Sequence, residues 1–437
     1  MTGRAPGAHS APKAYVVGAG LAGLGCATIL AARGVSVTVI EAAGQAGGRC
    51  RSYFDATMGG VIDNGNHLVL SGNRAVHDYL ARIGAKDALA GPSRAEFDFV
   101  DLRAKEPNEV ARWRLRPNEG RLPWWVARET RRVPGTAAAD YAHYAPLLWA
   151  DAKVRIGDVV KVRGALWEKL MHPFLLAALN TEPEESSAAL AGAVLRETLA
   201  KGGRFYRPRI AHPTLAAAFI DPALAYLDGK QAVVRLGARL RGLAMGPREV
   251  LALETPDATL PVGARDAVVL AVPPWAADGL LPGLVVPNDF RAIVNAHFKI
   301  APPPSFLSKN GVPAILGVIG GTAEWIFAFH DRISVTVSGA DAIVDQDRED
   351  LAHRIWADVA KALDIAGPMP AWQIVKEKRA TFAATPAQDA RRPAARTSWR
   401  NLFLAGDWTR TGLPATIEGA LRSGETAAAL ALKHLSL

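Results

Sequence analysis

A chain of 437 residues, 49% hydrophobic and 21% charged, is globular in composition and long enough for two or three domains. Two cysteines, Cys26 and Cys50, exclude a disulfide scaffold and a cysteine-built zinc or iron–sulfur centre. Lys and Arg number 51 against 42 Asp and Glu, and the resulting +9 asks for an anionic partner: nucleic acid, a membrane surface or a phosphorylated ligand.

Residues 1–13 hold Gly, Ala, Pro and Ser but no long apolar run, and read as a loose tail and not a signal peptide. The apolar stretch 312–329 is interrupted by Pro313, Gly317, Gly320, Gly321 and Glu324, which suits two short strands and a turn better than a bilayer span. The expected location is the cytoplasm, with a peripheral position on the inner membrane face left open.

From residue 14 the chain reads as strand, glycine turn, helix, strand and acid. Ala14 to Val17 is apolar, Gly18-Ala19-Gly20-Leu21-Ala22-Gly23 follows, a small-residue helix runs to Ala32, and residues 35–40 alternate up to Glu41. Gly18 permits the turn, Gly20 lets the backbone approach a pyrophosphate and Gly23 lets the helix pack close to the sheet. The free N–H groups of Leu21, Ala22 and Gly23 face the phosphates, and Glu41 is placed for ribose hydroxyls. Ala42 and the Gly47-Gly48-Arg49 run extend this pattern, with Arg49 available to neutralise a pyrophosphate; the plain alternative is a surface turn with a solvated arginine.

Residues 72–210 carry apolar positions mainly at helical spacing, with joints at Pro107, Pro117, Pro123 and Pro134. Between 111 and 135 lie Arg112, Arg114, Arg116, Arg121, Arg128, Arg131 and Arg132, interleaved with Trp113, Trp124 and Trp125 and opposed only by Glu119 and Glu129. Such a stretch fits an anionic membrane interface. A solvated face over core tryptophans fits equally, and RNA stacking is a weaker third reading. Residues 232–243 alternate as one strand, residues 264–274 read as a buried strand stopped by prolines, and residues 298–338 read as a meander of strands. Residues 347–363 form an amphipathic helix. The ten histidines show no metal-ligand spacing, so no metal is expected.

At the far end, residues 400–407 read as a buried strand closed by Gly406 and Asp407. Pro414, Ala415, Thr416 and Ile417 then open an alanine-rich helix whose positive end suits a reduced flavin.

These three pieces together resemble the FAD-dependent amine oxidase and phytoene desaturase superfamily, over about residues 13–437. Within it the chain is similar to the hydroxysqualene dehydroxylase family, on Asp63-Asn64-Gly65-Asn66-His67, on Leu179-Asn180-Thr181-Glu182-Pro183-Glu184-Glu185-Ser186-Ser187, and on Gly406-Asp407-Trp408-Thr409 with Thr411 to Ala420. Two features depart from the family: Asn66, where Gln is expected, and the Ala/Arg-rich stretch 381–396.

The resemblance implies an α/β protein with a Rossmann-like FAD-binding domain built from residues 13–71, 216–290 and 396–437. The inserted α+β substrate domain would comprise a helical segment, 72–215, and a sheet and helix, 291–395. It implies FAD contacts at the glycine loop, Glu41, Ala42, Gly47, Gly48, Arg49, Gly406, Asp407 and Ala415 to Ile417, with the Leu240 backbone beside adenine. The implied reaction is reductive removal of the hydroxyl of hydroxysqualene, a C30 isoprenoid. His67 is the first candidate acid, with Asp63 and Glu418 behind it. His67, Trp408, Leu179 and Asn180 are expected to contact substrate. No nucleic-acid partner is expected, and no electron donor is named. The competing readings are a carotenoid desaturase or amine oxidase of the same fold, with Lys299 a weak candidate for the amine oxidases' flavin-side lysine, and a non-catalytic binder like the GDP-dissociation inhibitors.

Overall fold

The computed structural model describes residues 12–103, 110–306 and 314–437. Most of the expected tail, the Pro107 joint and residues 307–313 of the expected meander lie outside the described residues. The elements that position the site are, in chain order, β1 (Lys13–Val17), α1 (Leu21–Ala32), β2 (Ser36–Ile40), α2 (Arg74–Arg82), β3 (Phe97–Asp101) and β4 (Ala111–Leu115). Next come α3 (His172–Leu179), α4 (Ala188–Glu197), β5 (Val233–Arg235), β6 (Ala267–Leu270), β7 (Phe290–Phe298) and β8 (Ala314–Ile319). The chain closes with β9 (Trp325–Ala328), β10 (Ile333–Val337), α5 (Arg348–Leu363), β11 (Trp372–Phe382), β12 (Leu402–Leu404) and α6 (Ile417–Leu435).

Five parallel strands form the first sheet, in the order β5-β2-β1-β6-β12. Both faces are covered, so its strands are apolar almost throughout. Val16, Val39, Val269 and Phe403 face α1 and α6, while Val17, Ile40, Leu270 and Leu404 belong to the core on the other side. Helices α1 and α6 touch almost backbone to backbone: a Cβ at Gly424 would collide with the Ala22 carbonyl, and one at Gly25 with Leu421.

Helix α2 corrects the expected domain division. It lies within the stretch assigned to the substrate domain, yet Ala75, Val76, Tyr79 and Leu80 are buried in the same cluster as α1 and α6.

The second sheet has seven strands, in the order β11-β7-β10-β9-β8-β3-β4. The expected meander supplies its middle. Strands β3 and β4 come from the segment whose spacing reads as helical, and β11 was not expected. Residues of the central strands β7 to β10 alternate between two faces that are mostly buried. One face packs Val294, Leu316, Ile326 and Val335 on Leu351, Ile355 and Val359 of α5. The cap of α5 is Asp347, whose carboxylate accepts from the Glu349 and Asp350 amides at 2.7 and 3.3 Å. On the opposite face one row crosses six strands in register: Asn295, Thr336, Trp325, Gly317, Phe99 and Trp113. Trp167, Leu175 and Leu179 share the core beneath the aromatic end of this row.

No helix among the described residues is long and apolar enough to cross a membrane. Because α1 and α6 leave no room for a methyl group, Gly424→Ala should destabilise the protein by about 1–3 kcal/mol, read as a lower urea midpoint.

Candidate active site

The glycine loop lies at the carboxyl edge of the parallel sheet. Gly18 has φ +107°, donates to the Ile40 carbonyl at 2.7 Å, and would drive a Cβ into the Ala271 carbonyl. Gly23 seats α1 against Gly18 in the same way. At Gly20 the reverse holds: nothing lies within 4 Å of where a Cβ would stand. The first amides of α1 have no carbonyl four residues back and no side-chain cap, so their donors and the positive helix end face this opening. An anionic diphosphate is the group such an opening fits. The second glycine pair closes one side, with the Gly47 amide donating to the Ala19 carbonyl at 2.8 Å.

Glu41, at the end of β2, accepts from the Ala19 and Ala43 amides at 2.7 and 2.8 Å. An ionised carboxylate has about four lone-pair sites, so capacity for a ribose remains. Ala42 lies between Glu41 and Ala43, inside the turn this carboxylate closes. Leu240 does not continue a strand, contrary to the alternation of residues 232–243. Strand β5 ends at Arg235, Gly237 turns the chain at φ +69°, and Leu240 follows in coil with its side chain buried. Its amide and carbonyl have no backbone partner among the described residues.

At the other pole, Gly406 has φ +142° and donates to Ser423 Oγ at 2.8 Å. Thr416 caps α6, its Oγ1 accepting from the Gly419 amide at 3.0 Å, and Ala415 and Ile417 flank that cap. Arg49 is a correction. Its guanidinium does not stand free for a pyrophosphate but forks onto both Asp407 oxygens at 2.7 Å and donates to the Ala380 carbonyl. It thereby ties the N-terminal loop to the C-terminal one.

Several expected catalytic and substrate residues are fasteners. The buried Glu418 carboxylate accepts from the Ala75 and Val76 amides at 3.2 and 3.1 Å and from Arg422 Nε at 2.7 Å, so it caps α2 and both its oxygens are engaged by structural donors. Asp63 accepts from Ser52 Oγ at 2.6 Å and the Leu215 amide at 2.9 Å. Burial raises its pKa while these donors and Arg332 oppose that shift, and both oxygens face structural partners. Trp408 is buried against Gly406 and donates its indole N–H to the Val272 carbonyl at 2.9 Å. Leu179 is core. Asn180 ends α3 at φ +48°, donates to Thr381 Oγ1 at 3.0 Å and accepts from the Gly339 amide at 2.7 Å. Lys299 is exposed beside Gly59.

His67 sits half-buried beside Arg49. Burial and the Arg49 charge lower its pKa to about 4, against a bond to the Arg49 backbone that pulls upward. At neutral pH it is an uncharged imidazole and not the proton donor expected.

The polar part of the sheet row meets this loop. Asn66 Nδ2 donates to Thr336 Oγ1 at 3.2 Å, and Thr336 donates to Asn295 Oδ1 at 2.8 Å. Further along, the Ser338 amide donates to Glu324 at 2.7 Å. His172 Nε2 lies 3.1 Å from Glu182. Burial pushes the Glu324 carboxyl up to about 7, against the Ser338 amide and the His172 charge. Sequence reasoning missed Glu324, Thr336 and Trp325, because Thr336 and Trp325 inside strands, and Glu324 just before one, signal only a sheet.

Histidine-selective NMR should show the His67 imidazole neutral down to about pH 4, well below the ordinary 6.5.

Residues 21–432 match the model of the flavin containing amine oxidoreductase family. Hydroxysqualene dehydroxylase of Rhodopseudomonas palustris is 54% identical over 419 residues, covering 96% of this chain and 98% of that protein. Its counterpart from Sinorhizobium fredii is 50% identical over 420 residues, with the same coverage. Among solved structures, cyclohexylamine oxidase from Brevibacterium oxydans IH-35A superposes with a TM-score of 0.70 over 98% of this chain and all of that one, at 16% identity, a likeness of fold. The cofactor of the cradle is FAD, whose diphosphate suits the opening over Gly20. The chain belongs to the flavin containing amine oxidoreductase family, with hydroxysqualene dehydroxylases as full-length relatives.

Proposed function

We propose that this protein reductively removes the hydroxyl group of hydroxysqualene and releases squalene. The observation that carries the reading is the 54% identity to a hydroxysqualene dehydroxylase across nearly the whole of both chains. The sheet face carrying Asn295 and Thr336 supports it: Phe99, Trp113, Trp325 and Phe327 make it largely aromatic, as a C30 hydrocarbon requires. When bound and reduced, FAD supplies a hydride. An allylic alcohol also needs a proton, so that its C–O bond breaks with loss of water.

Glu324 is the side chain that best fits this proton. It holds one near pH 7, whereas His67 does not. Its partner Ser338 follows Thr336 by two residues, roughly 7 Å along a strand. His172 and Glu182 beside it offer a route for replacing the proton.

The substrate's insolubility makes an anionic membrane surface on the cytoplasmic side the natural source, and part of the arginine–tryptophan stretch supports such contact. Trp113 and Trp125 are core, while Arg112, Arg114 and Arg132 are bound to Ala362, Asp98 and Thr136. Leu122 and Trp149 remain 79% exposed, and Trp124 lies under Arg128 and Arg131 with guanidinium carbons 5.1 and 5.2 Å from its ring.

Anaerobic incubation of the reduced, FAD-loaded protein with hydroxysqualene should yield squalene; gain of double bonds in a carotenoid precursor instead would overturn the reading. The rate should fall as pH rises through about 7, because the acid must be protonated. Glu324→Gln should lower it about 100-fold or more with FAD retained. Separately, flotation should show salt-sensitive binding to anionic vesicles, weakened by Trp124→Ala and Trp149→Ala.

A further inference from the structure

We infer that Asn66 Oδ1 and Trp325 Nε1 form the subsite that holds the hydroxyl of the substrate, an inference that rests on the proposed reaction and names residues within it.

Both atoms are buried and have no hydrogen-bond partner among the described residues. Buried polar groups in folded proteins are nearly always paired, so an orphan donor and an orphan acceptor close together point to a ligand. Their closeness follows from the sheet. Trp325 and Thr336 are directly paired across β9 and β10, which brings their Cβ atoms within about 4.5–5.5 Å. Asn66 is bonded to that same Thr336 at 3.2 Å.

The orientation of the Asn66 amide follows from its neighbours. Thr336 has one hydroxyl hydrogen, and it goes to Asn295 Oδ1 at 2.8 Å. The Thr336 oxygen can then only accept, so Asn66 must present its NH2 there and leave Oδ1 unused. Trp325 is fixed by packing: its ring meets Phe99 edge-on at 5.8 Å, over Gly317, where any side chain would collide with Phe99.

The chemistry of the pair selects its ligand. A carbonyl oxygen would accept from Trp325 but leave Asn66 unsatisfied. An ammonium group would satisfy Asn66 and leave Trp325 without an acceptor. A hydroxyl both donates and accepts, and so satisfies both at once, as a water does in its absence; the preference for hydroxysqualene over squalene separates the two. The remaining neighbours, Phe99, Gly317 and Phe327, offer nothing polar and suit the hydrocarbon on either side of the carbinol carbon. Squalene lacks the hydroxyl, so the same subsite disfavours product.

The test uses the FAD-loaded protein in its oxidised state, where substrate binds without turnover. Affinities for hydroxysqualene and for squalene are measured in detergent by the change in flavin absorbance. Trp325→Phe removes only the N–H and keeps an aromatic ring, whereas Asn66→Leu removes the acceptor. Each should weaken hydroxysqualene about 5- to 10-fold, the size of one net hydrogen bond, and leave squalene within about twofold. Unchanged affinity for hydroxysqualene, or equal weakening of both ligands, overturns the assignment. So does a wild-type protein that does not prefer hydroxysqualene. If one variant fails to retain FAD, the other and Asn66→Ser carry the test. Preferential binding without squalene formation after reduction would reject the proposed reaction while leaving the hydroxyl subsite standing.

Discussion

Three contacts without side chains hold this structure together around its cofactor. Gly18 lies against Ala271, Gly23 against Gly18, and Gly424 against Ala22. Each brings backbone next to backbone at the carboxyl edge of the parallel sheet. Only this closeness lets α1 begin where β1 ends, with its unpaired amides open to the space over Gly20. A methyl group at any of the three would move the helix off the sheet, and the donors for the diphosphate with it. The same packing explains why α1 is small-residue and apolar all round: it is buried between sheet and α6 and has no wet face.

The two ends of the chain are then locked to each other by charge. Arg49 forks onto Asp407, and Glu418 caps α2 while paired with Arg422. The Arg49–Asp407 pair and the Glu418 cap on α2 each join segments far apart in sequence, so the parallel sheet and its helices close as a unit. That locking also removes these groups from catalysis. Their oxygens are engaged by structural donors, and neutral-pH acid chemistry needs a group that keeps its proton. Glu324 does so because burial disfavours its charge more than its Ser338 hydrogen bonds and the His172 charge restore it.

The second sheet does two jobs through period-two alternation. Aliphatic residues on one face fix it to α5, and the other face carries the polar and aromatic row. That second face is not uniform: its β10 and β7 part is polar through Thr336 and Asn295, and its β3 and β4 part is aromatic through Phe99 and Trp113. A graded face of this kind suits a molecule that is hydrocarbon with one hydroxyl. The excess positive charge is distributed rather than concentrated, since several arginines of residues 111–135 bind carbonyls or aspartates and a minority stay near exposed tryptophan.

The dinucleotide cradle was legible in the sequence because its signals are local: Gly18, Gly20 and Gly23 act within one turn, and Glu41 lies one strand further on. The amphipathic helix from residue 348 was legible for the same reason, its cap and apolar stripe being written in consecutive residues. Strands β3, β4 and β11 were not, because each becomes a strand only by pairing with distant chain. The roles of Arg49, Glu418, Trp408 and Asn180 were likewise hidden. A residue type says which bonds a side chain can make, and only the fold decides which partner reaches it first. By itself the sequence determined a dinucleotide cradle, through short-range backbone geometry, and pointed to FAD through the family resemblance. Tertiary structure alone decided that Glu324 keeps a proton and that Asn66 bonds to Thr336, the cross-strand partner of Trp325, because burial and cross-strand register exist only once separate segments pack together.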